Sequence, residues 1–132
     1  MQTSEKIGII DLGSNSARLV IGRLFGGGYF MVEDELKESV RLGQDMDRDG
    51  FLKPQRIAET NRTLKMFKRL CDASGVTRII AVATAAVRRA KNQRSFLDEI
   101  QATCGIRVEV LSEEAEATLV YRGVINSMDI PK

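Results

Sequence analysis

"IIDLGSNSARLVIG", residues 9–22, starts as an apolar strand, breaks into small polar residues and becomes a strand again. Two apolar runs this close predict neighbouring antiparallel strands. A tight hairpin needs only a two-residue turn. Gly13, Ser14, Asn15 and Ser16 carry more hydrogen-bonding capacity than a reversal requires, with Asp11 just before them and Arg18 just beyond.

Working outward, "KIGIID" (6–11) reads as a buried strand and "SARLVIGRLF" (16–25) as its neighbour. The glycine run 26–28 has no helix after it, so it reads as a hairpin turn and not as a dinucleotide fingerprint. "YFMVEDELKESVRL" (29–42) is a third strand, the most exposed of the three. After a polar loop (43–52), Pro54 suits the first turn of a helix over 54–73, and Gly75 suits its stop. Ile57, Leu64, Phe67, Leu70 and Cys71 fall on its inner face. "RIIAVAT" (78–84) is a buried strand. Residues 85–104 are helical with an interruption near Asn92, and Phe96, Ile100 and Cys104 point inward. "IRVEVL" (106–111) is a strand and 112–128 the last helix. The order βββαβαβα predicts an α/β fold, a mixed five-stranded sheet flanked by helices, in one domain.

Composition narrows the function. Apolar residues are 43% of the 132, enough for a core. A net charge of +2 argues against a dedicated nucleic-acid binder, and few aromatic residues are present for base stacking. With no histidine, His-dependent nucleophile pairs and most zinc sites are excluded. Cys71 and Cys104 lack metal spacing and read as small buried thiols, which suits a reducing cytoplasm. No signal-peptide pattern and no membrane-length apolar run is present.

Three segments can carry chemistry. The first is the small-residue turn, whose outward amides and Ser14, Asn15 and Ser16 side chains would suit phosphate oxygens. Asp11 would repel a bare phosphate, so its use implies a hard cation such as Mg²⁺, or an aligned water. The plain alternative is an ornate turn with Asn15 at positive φ. The second is "TAAVRRAKN" (84–92), where a buried strand ends and a helix begins. Ligands gather there in open α/β sheets, and Arg88 or Arg89 could reach one. Otherwise Arg88, Arg89, Lys91 and Arg94 form a solvated basic face or a polyanion contact. The third is "LSEEAEATLVYRGV" (111–124). Ser112 is a natural N-cap, Glu113 and Glu114 suit the helix dipole, and Glu116 lies beside the buried face, where a carboxylate can act as a general base. "DMDRDG" (45–50) imitates the start of a calcium loop, but Arg56 stands where the bidentate glutamate belongs.

Taken together, "DLGSNSARL" (11–19), "RLGQDM" (41–46), "AVATAAVRRAKN" (81–92) and "LSEEAEATLVYRGV" closely resemble the exopolyphosphatase / guanosine pentaphosphate phosphohydrolase (Ppx/GppA) family. The resemblance implies the actin-like, ribonuclease H-like fold, each half of which is a βββαβαβα unit. It implies hydrolysis of the terminal phosphoanhydride of polyphosphate or pppGpp. Gly13, Ser14, Asn15, Ser16 and Arg88 would bind phosphate, Asp11 would associate with Mg²⁺, and Glu116 would orient or deprotonate the attacking water. The family pattern S-G-E-E-E-A-R is SEEAEAT here, so Ala115 removes a capping-box glutamate and Thr118 an arginine. The family's second phosphate loop, D-x-G-G-G-S/T, belongs to a second half that these residues do not contain. The chain is therefore expected to be an N-terminal domain, inactive alone, that partners its own C-terminal domains or self-associates through a bare cleft face. The alternative is an actin-like module that binds nucleotides or polyanions without hydrolysing them.

Overall fold

The computed structural model describes residues 3–115. Its elements are β1 (Ser4–Leu12), β2 (Ser16–Phe25), β3 (Phe30–Ser39), α1 (Pro54–Ala73), β4 (Arg78–Ala83), α2 (Ala85–Arg89), α3 (Gln93–Cys104) and β5 (Val108–Val110). The sheet runs β3-β2-β1-β4-β5. β1 pairs antiparallel with β2 and β2 with β3, whereas β4 lies parallel to both β1 and β5. The mixed five-stranded sheet is the one expected from the strand pattern. The turn over 26–28 closes the β2–β3 hairpin, the Gly28 amide donating to the Phe25 carbonyl at 2.9 Å.

Alternation along the strands sorts residues between the faces. On β1, Ile10 and Leu12 are buried, and Asp11 between them is exposed. The helix-facing side packs against Leu64, Phe67 and Cys71 of α1 and Phe96, Ile100 and Cys104 of α3. α1 comes close because residue 8 is glycine: a Cβ there would lie 2.8 Å from the Cys71 Sγ. The other face keeps Ile80 40% and Val32 50% exposed.

α1 starts with Pro54 in its first turn. It stops at Gly75, whose φ of 80° lets the Gly75 amide reach the Asp72 carbonyl and the Val76 amide the Cys71 carbonyl. Two expectations need correction. Leu70 was placed on the inner face but is 39% exposed; Cys71 takes the inward position, and Thr60 and Asn61 are the buried polar residues of α1. The third strand ends at Ser39, not 42, because the backbone beyond it turns to hold the β1–β2 loop. The interruption expected near Asn92 is present: the helical stretch 85–104 divides into α2 and α3, because Ala90 adopts extended geometry and Asn92 gives its side chain to Leu52.

Candidate functional site

The described parts of the three chemical segments meet along one edge of the sheet. Parallel pairing aligns Leu12 of β1 with Ala83 of β4, and Ala83 with Val110 of β5. The ladders run on past the strand ends: the Thr84 amide donates to the Leu12 carbonyl at 3.2 Å and the Leu111 amide to the Ala83 carbonyl at 2.9 Å. Gly13–Asn15, the start of α2 and the approach to Glu116 therefore leave neighbouring carboxyl ends, about 5 Å from one strand to the next. In open α/β sheets this edge is where ligands bind.

The first segment has a definite polarity. The Ser14 carbonyl accepts the Gly43 amide at 2.9 Å. The Asn15 carbonyl accepts two amides, from Val40 at 3.1 Å and Arg41 at 2.9 Å. In a planar trans peptide the N–H points opposite to the C=O. The Asn15 and Ser16 amides thus face away from the 40–43 segment, and among the described residues neither has a loop acceptor. The Gly13 amide is committed to the Ser16 carbonyl at 2.9 Å. Gly13 belongs to the frame of the turn, while the residues after it offer donors. Asn15 at positive φ is not found. Among the described residues, the non-glycine ones with positive φ are Arg41 (48°) and Asp45 (63°), both in the adjacent loop.

At the second segment, Thr84 precedes α2 without a side-chain cap. α2 has only five residues, so the anion attraction expected of a long helix dipole is small here. Arg88 and Arg89 part as their spacing suggested: Arg89 is exposed and Arg88 half-buried. Arg88 Nη1 donates to the Leu111 carbonyl at 2.9 Å, and its Nη2 lies 4.0 Å from a carboxylate oxygen of Glu113. This arginine ties α2 to the chain leaving β5. There Ser112 caps as expected, its Oγ accepting the Ala115 amide at 3.0 Å. Glu116, the expected base, lies outside the described residues.

The remaining candidates find their places. Asp11 stands opposite Arg18 in the β1–β2 register, and Arg18 forms an ion pair with Glu35. The calcium-loop imitation is a clasp. Asp49 accepts the Phe51 amide at 3.0 Å and Lys53 Nζ at 2.8 Å, and the Lys53 ammonium first, then the Phe51 amide, lower its pKa. Lys91 lies 5.7 Å from the Phe51 ring centroid, and its amide donates to the Gly50 carbonyl. Among the described residues no group of three metal-ligating side chains occurs. Cys71 and Cys104 are free, buried thiols. No described helix is long and apolar enough to cross a membrane.

The residue types of Val40–Gly43 point to no role, although this segment shapes the turn. "RLGQDM" carried the signal only as part of a resemblance.

The description "Ppx/GppA phosphatase family" fits residues 9–132, which include all three segments. The chain belongs to that family.

Among solved Ppx/GppA relatives, the Aquifex aeolicus family member superposes with a TM-score of 0.87 at 36% identity, covering 96% of this chain and 41% of that one. An exopolyphosphatase from Cytophaga hutchinsonii gives 0.85 at 32% identity, covering 91% and 38%. These neighbours make the fold an actin-like one of Ppx/GppA type. By sequence, the chain is 27% identical over 119 residues to Exopolyphosphatase 1 of Mycobacterium tuberculosis, covering 90% of this chain and 35% of that protein. It is 31% identical over 126 residues to a bifunctional 3-dehydroquinate synthase/phosphatase of Fusobacterium nucleatum, covering 91% and 19%. The Ppx/GppA chain described here thus spans about a third or less of the length of these two relatives.

Proposed function

We propose that this chain forms one wall of the active cleft of a phosphohydrolase that removes the terminal phosphate of inorganic polyphosphate or of pppGpp. The observation that supports this most is the register-aligned row Leu12, Ala83, Val110, with the outward amides of Asn15 and Ser16 at one end. Relatives described as exopolyphosphatases make polyphosphate the leading substrate.

In this reading, the turn Gly13–Ser16 receives phosphate oxygens, with Gly13 shaping it and Ser14, Asn15 and Ser16 donating. Arg88 adds positive charge from α2. Glu116 takes the proton of a water whose oxygen attacks the terminal phosphorus. The P–O bond to the bridging oxygen breaks, and the shortened chain leaves with that oxygen. Such chemistry needs chiefly positioning and charge neutralisation. The facing wall, with a second phosphate loop, is assigned to the C-terminal part of the longer protein, so residues 1–132 alone would release negligible phosphate.

Asp11 is the carboxylate proposed to associate with Mg²⁺. One exposed carboxylate at a strand end suits an ion that keeps its waters and leans on substrate phosphates, not a protein cage. When bound, the ion would neutralise phosphate charge. The assignments to the cytoplasm and to a homodimer rest on the sequence pattern and are part of the same proposal.

The test is steady-state phosphate release by the full-length protein from polyphosphate and from pppGpp, beside its Glu116→Gln variant. The expected result is turnover of at least one substrate and a loss of about 10²–10⁴ in kcat for the variant. Near-normal turnover by Glu116→Gln removes that residue from the role. Binding without turnover by the wild type favours the non-hydrolytic polyanion module.

A further inference from the structure

We propose that Arg41 contacts the phosphate chain of the substrate and sets its affinity, an assignment that rests on the phosphate site proposed above. Arg41 has φ +48°, a region where a Cβ is disfavoured and where glycine, asparagine or aspartate usually stands. The backbone has a clear reason for this shape. Val40 and Arg41 are consecutive residues whose amides both reach the Asn15 carbonyl, at 3.1 and 2.9 Å. The chain must turn between them, and two residues later Gly43 reaches the Ser14 carbonyl. Glycine would make the same turn at lower cost. The backbone therefore accounts for the conformation but not for the arginine.

Nor does packing account for it. Val40 and Leu42 on either side are 1% and 0% exposed and anchor the segment in the core. Arg41 between them is exposed. Of the other cations near this edge, Arg18 is engaged with Glu35 and Arg88 with the Leu111 carbonyl, whereas Arg89 is exposed on α2. Among the described residues, no carboxylate forms an ion pair with Arg41. A guanidinium on a fixed backbone, one hydrogen bond from the turn but on the side away from its Asn15 and Ser16 amides, is suited to a further phosphate of the same anionic chain. Strain kept at a position where a cheaper residue would fit is a mark of a functional side chain.

The substitution that separates the two roles is Arg41→Gly, which removes the cation and relaxes the backbone together. The full-length protein, with Arg41→Gly and Arg41→Lys variants, is titrated with tripolyphosphate by calorimetry and melted in parallel. The expected result is a melting temperature for Arg41→Gly at or above the wild type, with tripolyphosphate affinity reduced by about tenfold or more and partly restored by lysine. In phosphate-release assays the loss falls on KM, not kcat. Wild-type affinity retained in Arg41→Gly overturns the assignment and leaves the phosphate site standing. Affinity and melting temperature lost together make the residue structural and overturn it too. A wild type that does not bind tripolyphosphate removes the site and this assignment with it.

Discussion

The Gly43 amide donates to the Ser14 carbonyl at 2.9 Å, and little room is left for a side chain beside that bond. A Cβ on residue 43 would lie 3.3 Å from the Ala86 Cβ and 3.4 Å from the Ser14 Cβ. One small residue thus joins the β1–β2 turn, its supporting loop and α2.

Enlarging residue 43 should separate these three elements. Gly43→Ala calls for shifts of a few tenths of an ångström and should be tolerated. Gly43→Val should cost about 1–3 kcal/mol, as overpacking does. Urea unfolding gives the stability change. Tripolyphosphate affinity of the full-length variant should fall by more than global destabilisation explains, because the turn itself is displaced.

Asn92 fastens the clasp. Its Oδ1 accepts the Leu52 amide at 2.9 Å and its Nδ2 donates to the Leu52 carbonyl at 3.0 Å, forty residues away. Leu52 is only 2% exposed, so water does not readily replace this partner. Asn92→Ala should cost about 1–3 kcal/mol for each group left unpaired. Asn92→Asp keeps the acceptor and loses the donor, and should fall between alanine and wild type at neutral pH. Chemical denaturation of the three proteins checks the order.

Arg88 should be sensitive to a conservative change. Lysine keeps the charge but presents a point ammonium in place of a planar fork. In the full-length protein, Arg88→Lys should retain stability within about 1 kcal/mol and lose most phosphate turnover. Arg88→Ala should lose both, because the Leu111 carbonyl also loses its donor. Thermal melts beside phosphate-release kinetics separate the two effects.

Much of this was readable from the sequence, and the residues that escaped it share a cause. β1, β2 and β4 show as apolar runs because alternation and burial are local properties of a strand. The turn at Gly13–Ser16 shows as an excess of hydrogen-bonding groups. Leu70 was misplaced because helical periodicity gives a face, not its edges, and β1 approaches closely enough at Gly8 for Cys71 to fill the contact. The end of β3 is set by a partner 25 residues away, Asn15; the break near Asn92 is legible, but its partner Leu52, 40 residues away, is not. A one-dimensional pattern carries no mark of such pairings. The role of Val40–Gly43 stayed hidden because its contribution is backbone amides, which every non-proline residue has.

The buried thiol gives a pH dependence. Burial pushes the Cys71 pKa up, and neighbouring Asp72 adds to the shift. In the unfolded chain a thiol ionises near pH 8.5. The folded state holds its proton to higher pH, so this contribution to stability is full below about pH 8.5 and declines as pH rises toward the folded value. Unfolding free energy should therefore fall as pH rises above about 8.5, and less so in Cys71→Ala. Native Cys71 should also resist alkylation until denaturant is added. A pH-independent difference between wild type and variant would contradict this.

The turn between β1 and β2 is proposed to be a phosphate cradle because the Asn15 and Ser16 amides face away from the loop that anchors their carbonyls. Amide NMR of the full-length protein during titration with tripolyphosphate observes those two N–H groups directly. Saturable downfield movement of both, at one common affinity, is the predicted result. Asn15 and Ser16 resonances that stay in place while tripolyphosphate binds elsewhere would contradict the account.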